Sequence, residues 1–156
     1  SVPNNPLPFL VYKSAVDLAG AKDPAAAFEQ CFAANGWGES WRNGIFDFVH
    51  YHSQIHEVLG IARGTATVRF GGNGGGVLEA AAGDAAVLPA GPGHQKLSAS
   101  ADLLVVGAYP PQGTYDLCRG SAAEHAKALA TIPNVPAPKT DPLYGEDGPL
   151  VKLWAG

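Results

Sequence analysis

Between Ile45 and Tyr109 the chain is cut into short apolar runs, each closed by glycine, proline or small polar residues. Several short strands at turn-punctuated intervals indicate a sandwich or a barrel. The spacing predicts strands over 56–63, 66–70, 77–81, 85–88, 94–98 and 103–109. A tight glycine-rich turn is expected over 71–76. That turn lacks the GK[ST] ending and the following helix of a phosphate loop, so it reads as a hairpin. Residues 45–51 also alternate, and a strand there would put Phe46, Phe48, His50 and His52 on one side.

The flanks read differently. Residues 9–12 form a short apolar run, expected as an edge strand. Asp23-Pro24 reads as a helix cap and first helical position, because proline lacks only an amide hydrogen that would be orphaned there. The helix should stop at Gly36, with Phe28 and Phe32, four apart, on its buried face. Trp37 and Trp41 flank a glycine-rich turn and are expected to pack this helix onto the barrel. Ser121-Ala-Ala-Glu124 is a capping box that opens a second helix ending near Thr131, before Pro133. The tail over 133–156 is expected to wrap the barrel as an arm anchored by Leu143, Tyr144 and Trp154.

The chain has 156 residues, the size of one domain with a full core, and shows no internal repeat or linker. Apolar residues make up 46% and charged residues 15%, which excludes a disordered chain. Twenty glycines and thirteen prolines suit a turn-rich β fold, and their irregular spacing excludes a collagen-like repeat. The net charge of −4 and the absence of a basic run argue against nucleic acid as a partner. No apolar run reaches the roughly 18 residues of a membrane span, and no signal peptide is visible. Cys31 and Cys118 have no partner motif and are expected as free thiols in a reducing cytoplasm.

The chemistry concentrates in His50, His52, Glu57 and His94. Three imidazoles and a carboxylate form a ligand set for a divalent transition metal. On a strand His50 and His52 share a face at about 6.6 Å. His56 precedes Glu57, so alternation sends it to the opposite face; it stands as an alternative ligand or as a residue orienting one. The same parity makes Phe46, Phe48, Leu59 and Ile61 candidate pocket walls, with Lys96 a candidate contact for an anionic substrate. No nucleophilic triad can be read, since no serine has the G-x-S-x-G context.

From Gly44 to Gly64 the sequence GIFDFVHYHSQIHEVLGIARG matches the first cupin motif, G-x5-H-x-H-x4-E-x6-G, at every fixed position. From Gly83, GDAAVLPAGPGHQKLS resembles the second motif, G-x5-P-x-G-x2-H-x3-N, with Ser98 in place of the final Asn. The chain thus resembles the cupin (RmlC-like) superfamily. The segments PNNP, NGWGESWRNGIFDF, HYHSQIHEVLG, VVGAYPPQGTYDL and DPLYGEDGPL further resemble the YjlB-like single-domain bacterial cupins. The resemblance implies an all-β fold, the double-stranded β-helix or jelly-roll barrel, with two flanking helices and an irregular C-terminal arm. A single cupin domain then covers 1–156, with its barrel core at about 44–110, the N-terminal strand and helix at 9–36 and the C-terminal helix and arm at 121–156. It also implies His50, His52, Glu57 and His94 as the metal ligands, and a homodimer by family analogy.

Three imidazoles and one carboxylate leave an octahedral ion two open positions. Nitrogen and oxygen donors without thiolate suit Fe, Mn, Ni, Co, Cu or Zn and argue against Ca and Mg. The expected function is a metal-dependent oxygenase or isomerase acting on a small polar metabolite. The rivals are a non-catalytic small-molecule binding or sensing cupin and a metal-free cupin of the sugar-epimerase type.

Overall fold

In the computed structural model, which describes residue 5 and residues 7–71 and 76–155, the strands with continuous apolar runs lie deepest. The elements in chain order are β1 (Leu10–Tyr12), α1 (Pro24–Ala34), β2 (Gly38–Asn43), β3 (Glu57–Arg63), β4 (Thr65–Phe70), β5 (Val77–Ala81), β6 (Ala85–Leu88), β7 (His94–Ala99), β8 (Leu104–Tyr109), α2 (Ala122–Thr131) and α3 (Pro149–Leu153). A turn of 3-10 helix, Ile132–Asn134, follows α2. The strands form two antiparallel sheets, in the orders β1-β6-β3-β8-β2 and β5-β4-β7. This is the double-sheet arrangement of a cupin jelly roll.

β3, β6 and β8 are covered on both faces, which explains their unbroken apolar sequences. One face of the five-stranded sheet carries Val58, Ala62, Val87 and Val106 and packs under Phe28 and Phe32 of α1, joined by Leu150 and Trp154 from the C-terminal arm. The other face turns Leu59, Ile61, Leu88 and Val105 toward Ala66 and Val68 of the second sheet. Each of the buried Val, Leu, Ile and Phe side chains among these contributes about 1.5–3 kcal/mol. β5 is half-exposed along its length and forms one edge of the second sheet.

α1 begins as expected: the Asp23 side chain accepts from Ala26 N and Pro24 opens the first turn. It ends in a Schellman motif. Gly36, at φ +84°, donates to Ala33 O, and Trp37 N donates to Phe32 O. The capping box of α2 is complete, with Glu124 Oε1 also accepting from Arg119 N and Gly120 N. Cys31 and Cys118 are free thiols. No helix among the described residues is long and apolar enough to cross a membrane.

Four features depart from the sequence reading. First, 45–51 forms no regular strand. It runs beside β7, where Lys96 N donates to Phe46 O, but only His50 and Tyr51 form bridges, to His94 and Cys118. A bend at Asp47-Phe48 interrupts the ladder. The face predicted by alternation survives the bend, because the rings of Phe46 and Phe48 stack at 4.7 Å and both touch His50.

Second, β2 occupies a stretch whose glycines suggest a turn. It tolerates them through a β-bulge between Gly38 and Trp41, where Glu39 takes φ +53°. Third, the arm contains α3, a third helix. Its anchors are Leu143 and Trp154; Tyr144 is 59% exposed and lies against Tyr12. Buried Asp141 ties the arm down, accepting from Tyr12 Oη, Leu143 N, Tyr144 N and Leu150 N. Fourth, Trp37 packs α1 as expected but Trp41 does not, as described below. Residues 72–75 of the expected glycine-rich turn lie outside the described residues.

Candidate metal centre

His94 is the first residue of β7, and His50 faces it in an antiparallel bridge. His50 N donates to His94 O at 3.2 Å and His94 N donates to His50 O at 2.9 Å. That pairing sets the two imidazoles side by side, with ring centroids 3.9 Å apart. His52 follows, held by Gly91 N donating to its carbonyl at 2.7 Å. Glu57 is the first residue of β3, opposite Leu88 of β6, and it turns to the same interior face as Leu59 and Ile61.

The four side chains meet. One ring nitrogen from each of His50, His52 and His94 lies within 4.8 Å of the others. Glu57 Oε1 stands 3.4 Å from His52 Nε2 and 3.5 Å from His94 Nε2. None of the four residues is more than 6% exposed. Glu57 Oε1 and His94 Nδ1 are buried without a hydrogen-bond partner.

The tautomers of two rings follow from their partners. His50 Nδ1 lies 3.2 Å from Phe48 O, and His52 Nδ1 meets Asp116 O. A carbonyl oxygen only accepts, so each Nδ1 carries the hydrogen in the neutral ring and Nε2 carries the lone pair. For His52 that lone pair faces the carboxylate of Glu57. Asp116 is fixed in turn: its Oδ1 accepts from Ser53 N and Gln54 N, and its Oδ2 from the Ser53 hydroxyl and the Cys118 thiol.

Burial dominates the electrostatics of the cluster, and the carboxylate decides where it is overcome. Burial lowers His50, and it pushes His94, with the His50 charge adding to it, down to about 3. Burial also lowers His52, but the negative charge of Glu57 outweighs it and raises this imidazole to about 8. Burial would raise Glu57, yet His52, His94 and the Tyr109 phenol hold its carboxyl below the usual value. Without a metal, the proton therefore resides on His52.

His56 lies outside the cluster. It occupies the opposite face of the chain, where its Nδ1 accepts from Ala90 N at 2.9 Å and its ring packs edge-on to Trp154 at 4.8 Å. Burial lowers it to about 4. It is a neutral core histidine, and neither the alternative-ligand nor the orienting role has a contact to support it.

A cavity of about 1000 Å³ opens over the cluster. Of the wall residues expected from parity, Phe46, Leu59 and Lys96 line it. Phe48 stands behind Phe46 with Arg119 over its ring, and Ile61 is buried in the interior core. Trp41, which the sequence suggested would pack the helix, instead lines the cavity and donates from Nε1 to the Tyr109 hydroxyl at 2.9 Å. Tyr115 completes the aromatic wall, 5.3 Å from His52 and 5.6 Å from Tyr109. Tyr115 and Asp116 were missed: they lie in a loop some sixty residues from His52, and nothing local in the sequence announces that contact.

No family model matches the sequence. The chain is 40% identical over 154 residues to a protein of Bacillus subtilis (strain 168) designated uncharacterized protein YjlB, across 98% of this chain and 90% of the relative. Among solved structures it is similar to acireductone dioxygenase from Bacillus anthracis with a cadmium ion in its active centre, at a TM-score of 0.47 and 16% identity over 69% of this chain and 83% of that one. It is also similar to a sugar 3,4-ketoisomerase from Thermoanaerobacterium thermosaccharolyticum in complex with TDP, at a TM-score of 0.44 and 12% identity over 60% of this chain and 74% of that one. The near full-length identity to YjlB, on a jelly roll carrying both cupin motifs, means that the chain belongs to the YjlB-like family of cupins.

Proposed function

We propose that His50, His52, His94 and Glu57 hold one divalent transition metal, and that the protein is a metal-dependent enzyme of the oxygenase or isomerase type acting on a small polar metabolite in the cavity. The observation that carries this reading is Glu57 Oε1. It is buried, receives no hydrogen bond, and faces the Nε2 atoms of His52 and His94 at 3.4 and 3.5 Å. A protonated His52 meets that oxygen as an ion pair. Once His52 gives up its proton its lone pair opposes the carboxylate, so that a cation between the two takes over the proton's place. Metal bonds of about 2.0–2.1 Å bring neighbouring ligand atoms to about 3 Å, close to this spacing.

The donors are nitrogen and oxygen with no thiolate, which suits Fe, Mn, Ni, Co, Cu or Zn. Such an ion, when bound, supplies a Lewis acid and a template for orienting substrate. The protein residues do the rest. Phe48 O and Asp116 O fix two imidazoles with Nε2 directed inward. Ile55, Leu59 and Trp41 present apolar wall to the cavity. Tyr109 Oη accepts from Trp41 Nε1, and its own proton is directed at the Glu57 carboxylate.

The test is metal retention in His52→Ala and His94→Ala. Both variants should lose stoichiometric metal while remaining folded by circular dichroism. Full retention in both would sink the assignment.

A further inference from the structure

Two cationic side chains line the cavity, and the protein neutralises only one of them. Arg42 pairs with Glu29 at 2.6 Å and with Asp23 at 3.2 Å. Lys96 makes no ion pair or side-chain hydrogen bond among the described residues. Glu39, the other carboxylate in the lining besides Glu57, does not pair with it. Lys96 is nevertheless half-buried in the cavity wall rather than free on the surface.

Its placement is fixed by the sheet. β7 pairs regularly with β4 here, Phe70 opposite His94 and Val68 opposite Lys96, and the register shift comes only beyond Val68 toward Thr67. Lys96 therefore projects to the same face as His94, about 6.6 Å further along the strand. Its backbone is pinned by the bond from its N–H to Phe46 O at 2.9 Å. The site thus has an anchored, unpaired ammonium one side-chain step from the histidine cluster.

The remaining wall is aromatic. Phe46 is 45% exposed and Tyr115 is 54% exposed, and both line the cavity, with Trp41 and Tyr109 deeper in the wall. Large aromatic surface open to a cavity gains most from a flat π-system, which can stack or meet ring edges. A flat ligand that also carries negative charge would satisfy both features.

We propose that the cavity binds a planar unsaturated carboxylate, with its carboxylate on Lys96 and its flat portion against Phe46 and Tyr115. The proposal rests on the metal-centre reading only for which end of the ligand faces the histidines; the carboxylate contact itself needs no metal.

The probe is benzoate, titrated calorimetrically into chelator-treated and metal-supplemented protein, with metal uptake measured on the same samples. Benzoate should saturate the wild type in both states. Lys96→Gln should weaken it about tenfold or more, as expected for loss of a charge-assisted bond. Lys96→Arg should recover part of that loss, and phenol should bind both variants and wild type alike. Cyclohexanecarboxylate should bind more weakly than benzoate. Lys96→Gln should take up metal normally and melt at the wild-type temperature. Equal benzoate affinity in wild type and Lys96→Gln, no benzoate saturation at millimolar concentration, or inorganic phosphate binding as tightly as benzoate would each overturn the proposal. Absence of metal uptake with the Lys96-dependent benzoate contact intact would remove the metal reading and leave this one standing.

Discussion

Trp41 Nε1 donates to the Tyr109 hydroxyl across the β2–β8 pair, in a space that Gly107 leaves open. The β-bulge at Glu39 shifts Trp41 into register with Gly107, and a Cβ built on that glycine would lie 2.1 Å from Trp41 Cε2. A ring packed directly on backbone is thus what delivers a hydrogen-bond donor to a phenol beside Glu57.

Gly107→Ala should therefore disturb the cavity from behind. The added methyl displaces the indole and should cost about 1–3 kcal/mol, the usual range for overpacking. Trp41→Phe, which removes the donor and part of the ring packed on Gly107, should cost about 1–3 kcal/mol. Urea denaturation measures both, and near-ultraviolet circular dichroism should change in Gly107→Ala. A Gly107→Ala variant as stable as wild type, with an unchanged spectrum, would contradict this packing.

His56 supplies a contrast with its sequence neighbour. His56→Ala leaves the Ala90 N–H unpaired and a void against Trp154, so it should destabilise by about 2–4 kcal/mol. Metal stoichiometry in the folded variant should match wild type. A folded His56→Ala that loses its metal would place this imidazole among the ligands.

The contrast between these two histidines also shows what a sequence carries. Alternation along β3 put Glu57 inward and His56 outward, and the structure places them so, because strand parity is a local property of backbone geometry. The residues of the histidine–glutamate cluster were legible because their spacing matches two motifs, and the central strands because their apolar runs are continuous. What was not legible depends on distant partners. β2 hides behind glycines that a bulge accommodates, and Trp41 turns inward only because Gly107 lies opposite it. Asp116 orients His52 from a loop far along the chain. Residues 45–51 read as a strand, but the bend at Asp47-Phe48 breaks the ladder while keeping the face.

Metal uptake should be coupled to the proton on His52. Its pKa is raised from 6.5 to about 8 by Glu57, which outweighs the opposing effect of burial. At pH 7 most of the metal-free protein is protonated there, so binding should release about one proton. Apparent affinity should rise with pH until about 8 and then level off. The stability of the metal-free protein should move the opposite way: the His52 contribution is complete below pH 6.5 and is lost as pH rises through about 8. Calorimetry in two buffers of different ionisation enthalpy counts the protons, and urea melts across that window follow the stability. Proton release near zero at pH 7 would contradict this coupling.

Elemental analysis of protein purified without chelator or a metal-affinity tag tests the central claim most directly. The account predicts about one transition-metal ion per chain, or uptake of one on titration, as the four-donor set requires. Protein that carries no metal and takes up none would contradict it, and the cluster of His50, His52, His94 and Glu57 would then be a proton-sharing site only.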